Sequence, residues 1–144
     1  METSKHYLRG IREHYKIIHH LSEQCDTLRF SLGASAIRYD KDNVQTTPRD
    51  VTSEIMAEIF DIQDHITKLI RANDTRRFHA LQILAHMTDH TQREVIRLYY
   101  LEPLNGYPRT WDQVAAQVGR STKYVIRRIH PDALASFDDA RKFV

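Results

Sequence analysis

Glycine and proline are scarce in this sequence, at four each among 144 residues, and cysteine occurs once. With so few helix breakers and no β-rich windows, the expected fold class is all-α. The lone Cys25 excludes an intramolecular disulfide, and it has no obvious activating partner nearby in sequence. No window approaches 18 uncharged apolar residues, so no membrane partner is expected. The polar N-terminus lacks the apolar core of a signal peptide, so the expected location is cytoplasmic. Glycine-rich phosphate loops are missing. The nine histidines include His86 and His90, four apart and able to share a helix face, but no cysteine or carboxylate completes a tetrahedral set around them. Acids such as Asp61 and Asp64, or Asp138 and Asp139, read as solvated helix faces. Neither enzymatic activity, nor a cofactor, nor a metal is expected.

The residues present arrange themselves at helical spacing. Tyr7, Ile11, His14, Ile18, Leu21, Cys25, Leu28 and Leu32 alternate steps of 4 and 3, a heptad seam on a helix from about Ser4 to Leu32. A polar connection, 33–50, follows and reads as a long mobile loop, with Asp50 or Thr52 able to cap the next helix. Ile55, Ile59, Ile62, Ile66 and Leu69 repeat the stepping on a helix from about Val51 to at least Ile70, and Phe78, Leu81, Ile83, Leu84 and Met87 extend the pattern past Asn73. The two seams admit two pairings, a helical hairpin within one chain or a coiled-coil homodimer. The expected organisation is a helical region, 1–87, and a C-terminal domain, 88–144.

The C-terminal domain holds the one stretch whose spacing implies a mechanism. Asp89 or Thr91 can cap a helix ending before Pro103. Thr110 stands three residues before Gln113, a capping box, and Trp111, Val114, Ala115 and Val118 follow at helical spacing. Gly119 supplies the left-handed residue that stops a helix. Ser121 can cap a second helix that turns Val125, Ile126 and Ile129 inward. Two helices joined sharply by a short glycine turn form a helix-turn-helix, and the small Ala115 suits the place where they approach most closely. Between Arg109 and His130 stand five cations (Arg109, Arg120, Lys123, Arg127, Arg128) against one acid, Asp112, in a chain whose formal net charge is only +2. That concentration matches a phosphate-contacting surface. Pro131 is expected to interrupt or kink the chain after the second helix, with a last segment from Asp132 to about Lys142 packing back through Ala133, Leu134 and Phe137.

The run Arg93–Leu101, then Trp111, Ala115, Gly119, Ser121, Val125, Arg128-Ile129-His130 and Ala133-Leu134, resembles region 4 of the sigma-70 family. The whole layout is similar to short phage regulators of the autolysin-regulator (ArpU-like) type, with a sigma region 4-like C-terminal domain. Two positions depart from the pattern: Arg120 where an apolar residue is common, and Pro131 where the helix normally continues. Nothing in 1–90 resembles the other sigma regions. The resemblance implies a phage-encoded late transcription regulator in the bacterial host cytoplasm, binding double-stranded DNA. The helix at about 121–129 would enter the major groove. Lys123, Tyr124 and Arg127 are the candidates for groove contacts, and Arg109, Arg120 and Arg128 for phosphates, with Ser121 and Thr122 at the start of the reading helix. Two other readings stay open: an adaptor gripping host RNA polymerase through the same fold, and a phage small terminase-type DNA-packaging subunit.

Overall fold

A computed structural model describes residues 2–42 and 51–144. Among them every regular element is helical, with one isolated bridge between Leu104 and Tyr107. Helix α1 spans Ser4–Asp42 and α2 spans Val51–Leu84. Then come α3 (His90–Ile96), continued by a π-helical turn Arg97–Leu101, and α4 (Trp111–Val118). Helix α5 (Thr122–Tyr124) passes through a second π-helical turn, Val125–Ile129, into α6 (His130–Arg141).

One boundary differs from the sequence expectation. Helix α1 does not stop at Leu32, because Gly33 is helical; glycine inside a helix costs only about 1 kcal/mol. The polar connection placed at 33–50 is therefore helical through Asp42, and its remainder, 43–50 with the Asp50 cap, lies outside the described residues. Helix α2 runs unbroken past Asn73, which is buried and donates from Nδ2 to the Ile11 carbonyl at 3.3 Å.

The chain divides into two compact units, Met1–Ile17 with Ala72–Val144, and Ile18–Arg71. This differs from a division at 87/88. Leu8 and Ile11 of α1 and Ala80, Ile83 and Leu84 of α2 share one core with Ile96, Leu101, Ala133 and Phe137 from the C-terminal helices. Polar contacts of the same ends reinforce it. The Tyr7 hydroxyl donates to the Arg76 carbonyl (2.7 Å), and Arg77 Nε donates to the Leu101 carbonyl (2.9 Å). Periodicity shows that a helix has an apolar face, but not which partner covers it. The unit Ile18–Arg71 is thin by comparison. Cys25 and Ile59 are buried in it, Leu21, Leu28, Ile62, Ile66 and Leu69 are half-buried, and Phe30 (80% exposed) and Phe60 (63%) face solvent.

Pro131 does not break the C-terminal helix. The backbone keeps right-handed helical angles through Val125, Ile129 and His130. A proline ring in an α-helix collides with the carbonyl four residues back. Here the preceding turn is widened, with the His130 N–H donating to Val125 O, five residues back, so the chain continues as α6.

Candidate nucleic-acid interface

Local chemistry sets the two helices of the interface. Thr110 Oγ1 accepts from the Gln113 N–H (3.3 Å) while Gln113 Oε1 accepts from the Thr110 N–H (2.9 Å), so both sides of the capping box form. Gly119 closes α4 at φ 72°, with its N–H and that of Arg120 both donating to the Ala115 carbonyl. Ser121 Oγ then accepts from the Tyr124 N–H at 3.2 Å and opens α5. Asn105 and Gly106, both at positive φ, turn the preceding loop, which is pinned by paired hydrogen bonds between Leu104 and Tyr107.

Behind this pair of helices lies a second apolar cluster. Val95 and Leu98 meet Val114 and Ala115 of α4 and Val125 and Ile129 beyond α5, with Tyr99, Trp111 and Val118 at its edge. Val125 and Ile129 point inward as expected from the sequence. Ile126, also expected inward, is 39% exposed, because the widened turn and its register place it on the flank.

The eight residues singled out in the sequence separate into two groups. Lys123, Tyr124 (48% exposed), Arg127 and Arg128 reach solvent from α5 and its continuation, and Arg120 from the turn before them. The Arg120 guanidinium lies 5.9 Å from the Tyr124 ring centroid. Arg120, Tyr124 and Arg128 border a groove that also holds the acids Asp89 and Asp132, so their charge is partly offset locally, whereas Lys123 and Arg127 lie outside that groove. The remaining three hold the scaffold together. Ser121 is a cap, the Thr122 hydroxyl donates to Asp112 Oδ1 at 2.7 Å and ties α5 to α4, and Arg109 Nε donates to the Glu102 carbonyl at 3.0 Å. The Ser121 cap is local and follows from the sequence, whereas the roles of Thr122 and Arg109 depend on partners that spacing does not reveal.

Tyr99 organises the other flank. Trp111 stacks on it at 3.6 Å between ring centroids, and the Arg12 guanidinium sits 4.0 Å from its centroid. Arg12 Nη2 also donates to the Arg109 carbonyl at 2.9 Å. Beside them His130, 9% exposed, meets the Tyr100 hydroxyl at 2.7 Å. Burial, aided by the charge of Lys5, pushes the His130 pKa down to about 4, so the ring is neutral at pH 7. Burial pushes the Tyr100 hydroxyl pKa up, so the phenol stays protonated, and it shares a hydrogen bond with His130 Nε2 whose direction follows the imidazole tautomer. Arg12 was not singled out in the sequence. Its spacing from Lys5, Arg9 and Lys16 was the available signal.

Among the described residues no three His, Cys, Asp or Glu side chains converge on a point that could hold a metal, and no helix is long and apolar enough to cross a membrane. A scan against protein-family models finds no match to this chain, and no curated protein or solved structure matches it.

Proposed function

We propose that this chain is a sequence-specific, double-stranded DNA-binding transcription regulator. In this reading α4, the Gly119 turn and the helix from Ser121 to Ile129 form a helix-turn-helix of the sigma region 4 type. The observation that carries it is the outward face of that second helix. Lys123 and Arg127 project to solvent with Tyr124 beside them, while Val125 and Ile129 fix the helix from behind. A helix so held can enter a major groove, where an arginine reads guanine with two parallel hydrogen bonds. The resemblance of residues 93–134 to sigma region 4, and of the layout to ArpU-like regulators, supports a phage-encoded protein acting in the bacterial host cytoplasm.

A single such module covers a short stretch of DNA, so a palindromic site read by a dimer adds specificity. The thin core of the unit Ile18–Arg71, where the seam residues Leu21, Leu28, Ile62, Ile66 and Leu69 are only half-buried, supports a homodimer through the heptad seams.

The test is selection of bound duplexes from a random pool at physiological salt, with the wild type and Arg127→Ala in parallel. The expected result is an enriched motif that the variant loses, palindromic if the protein is a dimer. Failure to enrich any motif would refute sequence-specific reading. Capture of host RNA polymerase in that case would favour the adaptor reading, and ring-shaped oligomers the packaging one.

A further inference from the structure

Helix α1 carries a feature that the reading helix does not account for. Lys5, Arg9, Arg12 and Lys16 step by 4, 3 and 4 residues, which places four cations on one face of the helix. They line one wall of a cleft of about 520 Å³, and Trp111, Ile126 and His130 line the other. Ile126 belongs to the turn that continues α5, so this cleft borders the reading helix on the flank opposite the Asp89 and Asp132 groove. Glu13 is the acid in the cleft, and it pairs with Lys16 at 3.1 Å. Lys5 and Arg9 are exposed and have no carboxylate partner among the described residues. Arg12 is committed to Tyr99 and the Arg109 carbonyl, yet its Nη1 is buried and unpartnered at the base of the same wall.

We infer that this stripe is a second DNA contact: it grips the phosphates of the strand flanking the groove that α5 enters. The inference rests on the DNA-binding reading above and extends it to α1. Four cations against the single acid Glu13, on a concave wall beside a groove-reading helix, suit a polyphosphate backbone. The contact is sequence-independent, because phosphates are the same at every step. It also gives a purpose to the shared core of α1 with the C-terminal helices. Leu8 and Ile11 hold the stripe at a fixed distance from α5, so both surfaces engage one duplex.

The test is equilibrium binding to a duplex enriched in the selection, and to a base-substituted form of it, from about 50 to about 200 mM salt. The proteins are the wild type, the triple variant Lys5→Gln/Arg9→Gln/Lys16→Gln, the charge-keeping triple Lys5→Arg/Arg9→Lys/Lys16→Arg, and Lys142→Gln as a remote charge control. Thermal unfolding confirms that each is folded. Each lost phosphate contact flattens the dependence of log K on log salt by about 0.9, so two or three make the neutral triple's fall over that range roughly 10- to 40-fold smaller. The charge-keeping triple and Lys142→Gln keep the wild-type slope, and all four proteins keep the same preference between the two duplexes. Trp111, the one tryptophan, lines the cleft and gives a local readout. Its emission change on binding shrinks in the neutral triple. An unchanged slope and affinity in the neutral triple would overturn the second contact and leave the reading helix standing. Loss of base preference with an unchanged slope would also overturn it. A wild type that binds no duplex at all would overturn the DNA-binding reading itself.

Discussion

Protonation of His130 should cost this protein stability in a defined pH window. The ring is buried against Trp111, at 4.6 Å between centroids, and against the Tyr100 hydroxyl, with Lys5 adding positive charge and Arg9, Arg12 and Glu13 lining the same cleft. Its pKa falls from 6.5 to about 4 on folding. Between those values the unfolded chain holds a proton that the native chain does not, so stability rises with pH across the window. Below pH 4 both states are protonated and the loss is complete; above 6.5 neither is. At about 1.4 kcal/mol per pH unit the ceiling is roughly 3 kcal/mol. The cleft admits solvent, which screens the charge and makes about 2 kcal/mol the expected loss. The assay is urea unfolding of the wild type and His130→Asn at half-unit steps from pH 4 to pH 7.5. The variant is less stable at pH 7 because the hydrogen bond with Tyr100 and the ring packing are gone. Carboxylate titrations are common to both proteins, so the difference between the curves isolates the imidazole. It should narrow by about 2 kcal/mol as pH falls from 6.5 to 4. Parallel curves would refute the assignment of a neutral, buried His130.

Two further outcomes concern the scaffold. Ala115→Leu forces three extra heavy atoms into the cluster of Val95, Leu98, Val114, Val125 and Ile129; a loss of about 1–3 kcal/mol in unfolding free energy is expected, and unaltered thermal unfolding would show that α4 and the helix beyond Gly119 are not closely packed there. Gly119→Ala has free space around the new methyl group but must hold φ at +72°, so about 1–2 kcal/mol should be lost to backbone strain alone, and a variant as stable as the wild type would place the left-handed residue elsewhere.

The features legible in the sequence were those fixed within a few residues. The Thr110–Gln113 box, the Gly119 stop and the Ser121 cap each involve groups no more than four apart, so residue type and offset suffice to define them. The all-helical class followed from periodicity in the same way. Partnership was not legible. The Tyr7–Leu32 seam reads as one stripe, yet its first turns lie in the core with Phe137 and Ile96, while Cys25 belongs to the other unit. Arg109 and Thr122 resemble DNA contacts by charge and position, but their hydrogen bonds to Glu102 and Asp112 form only in the folded chain. Pro131 signals a break on local rules, and the turn Val125–Ile129 accommodates it by widening before the ring is reached. The spacing of Lys5, Arg9, Arg12 and Lys16 shows a basic face on α1, but not that it meets Trp111, Ile126 and His130 from the far end of the chain.

The most direct measurement of the central claim is the affinity of the wild type and Arg127→Ala for the enriched duplex and for its single-base variants at physiological salt. The DNA-reading account predicts that Arg127→Ala weakens binding by about 1–3 kcal/mol and loses discrimination at one base pair, with the fold intact by thermal unfolding. Equal affinity and equal discrimination in the two proteins would contradict it.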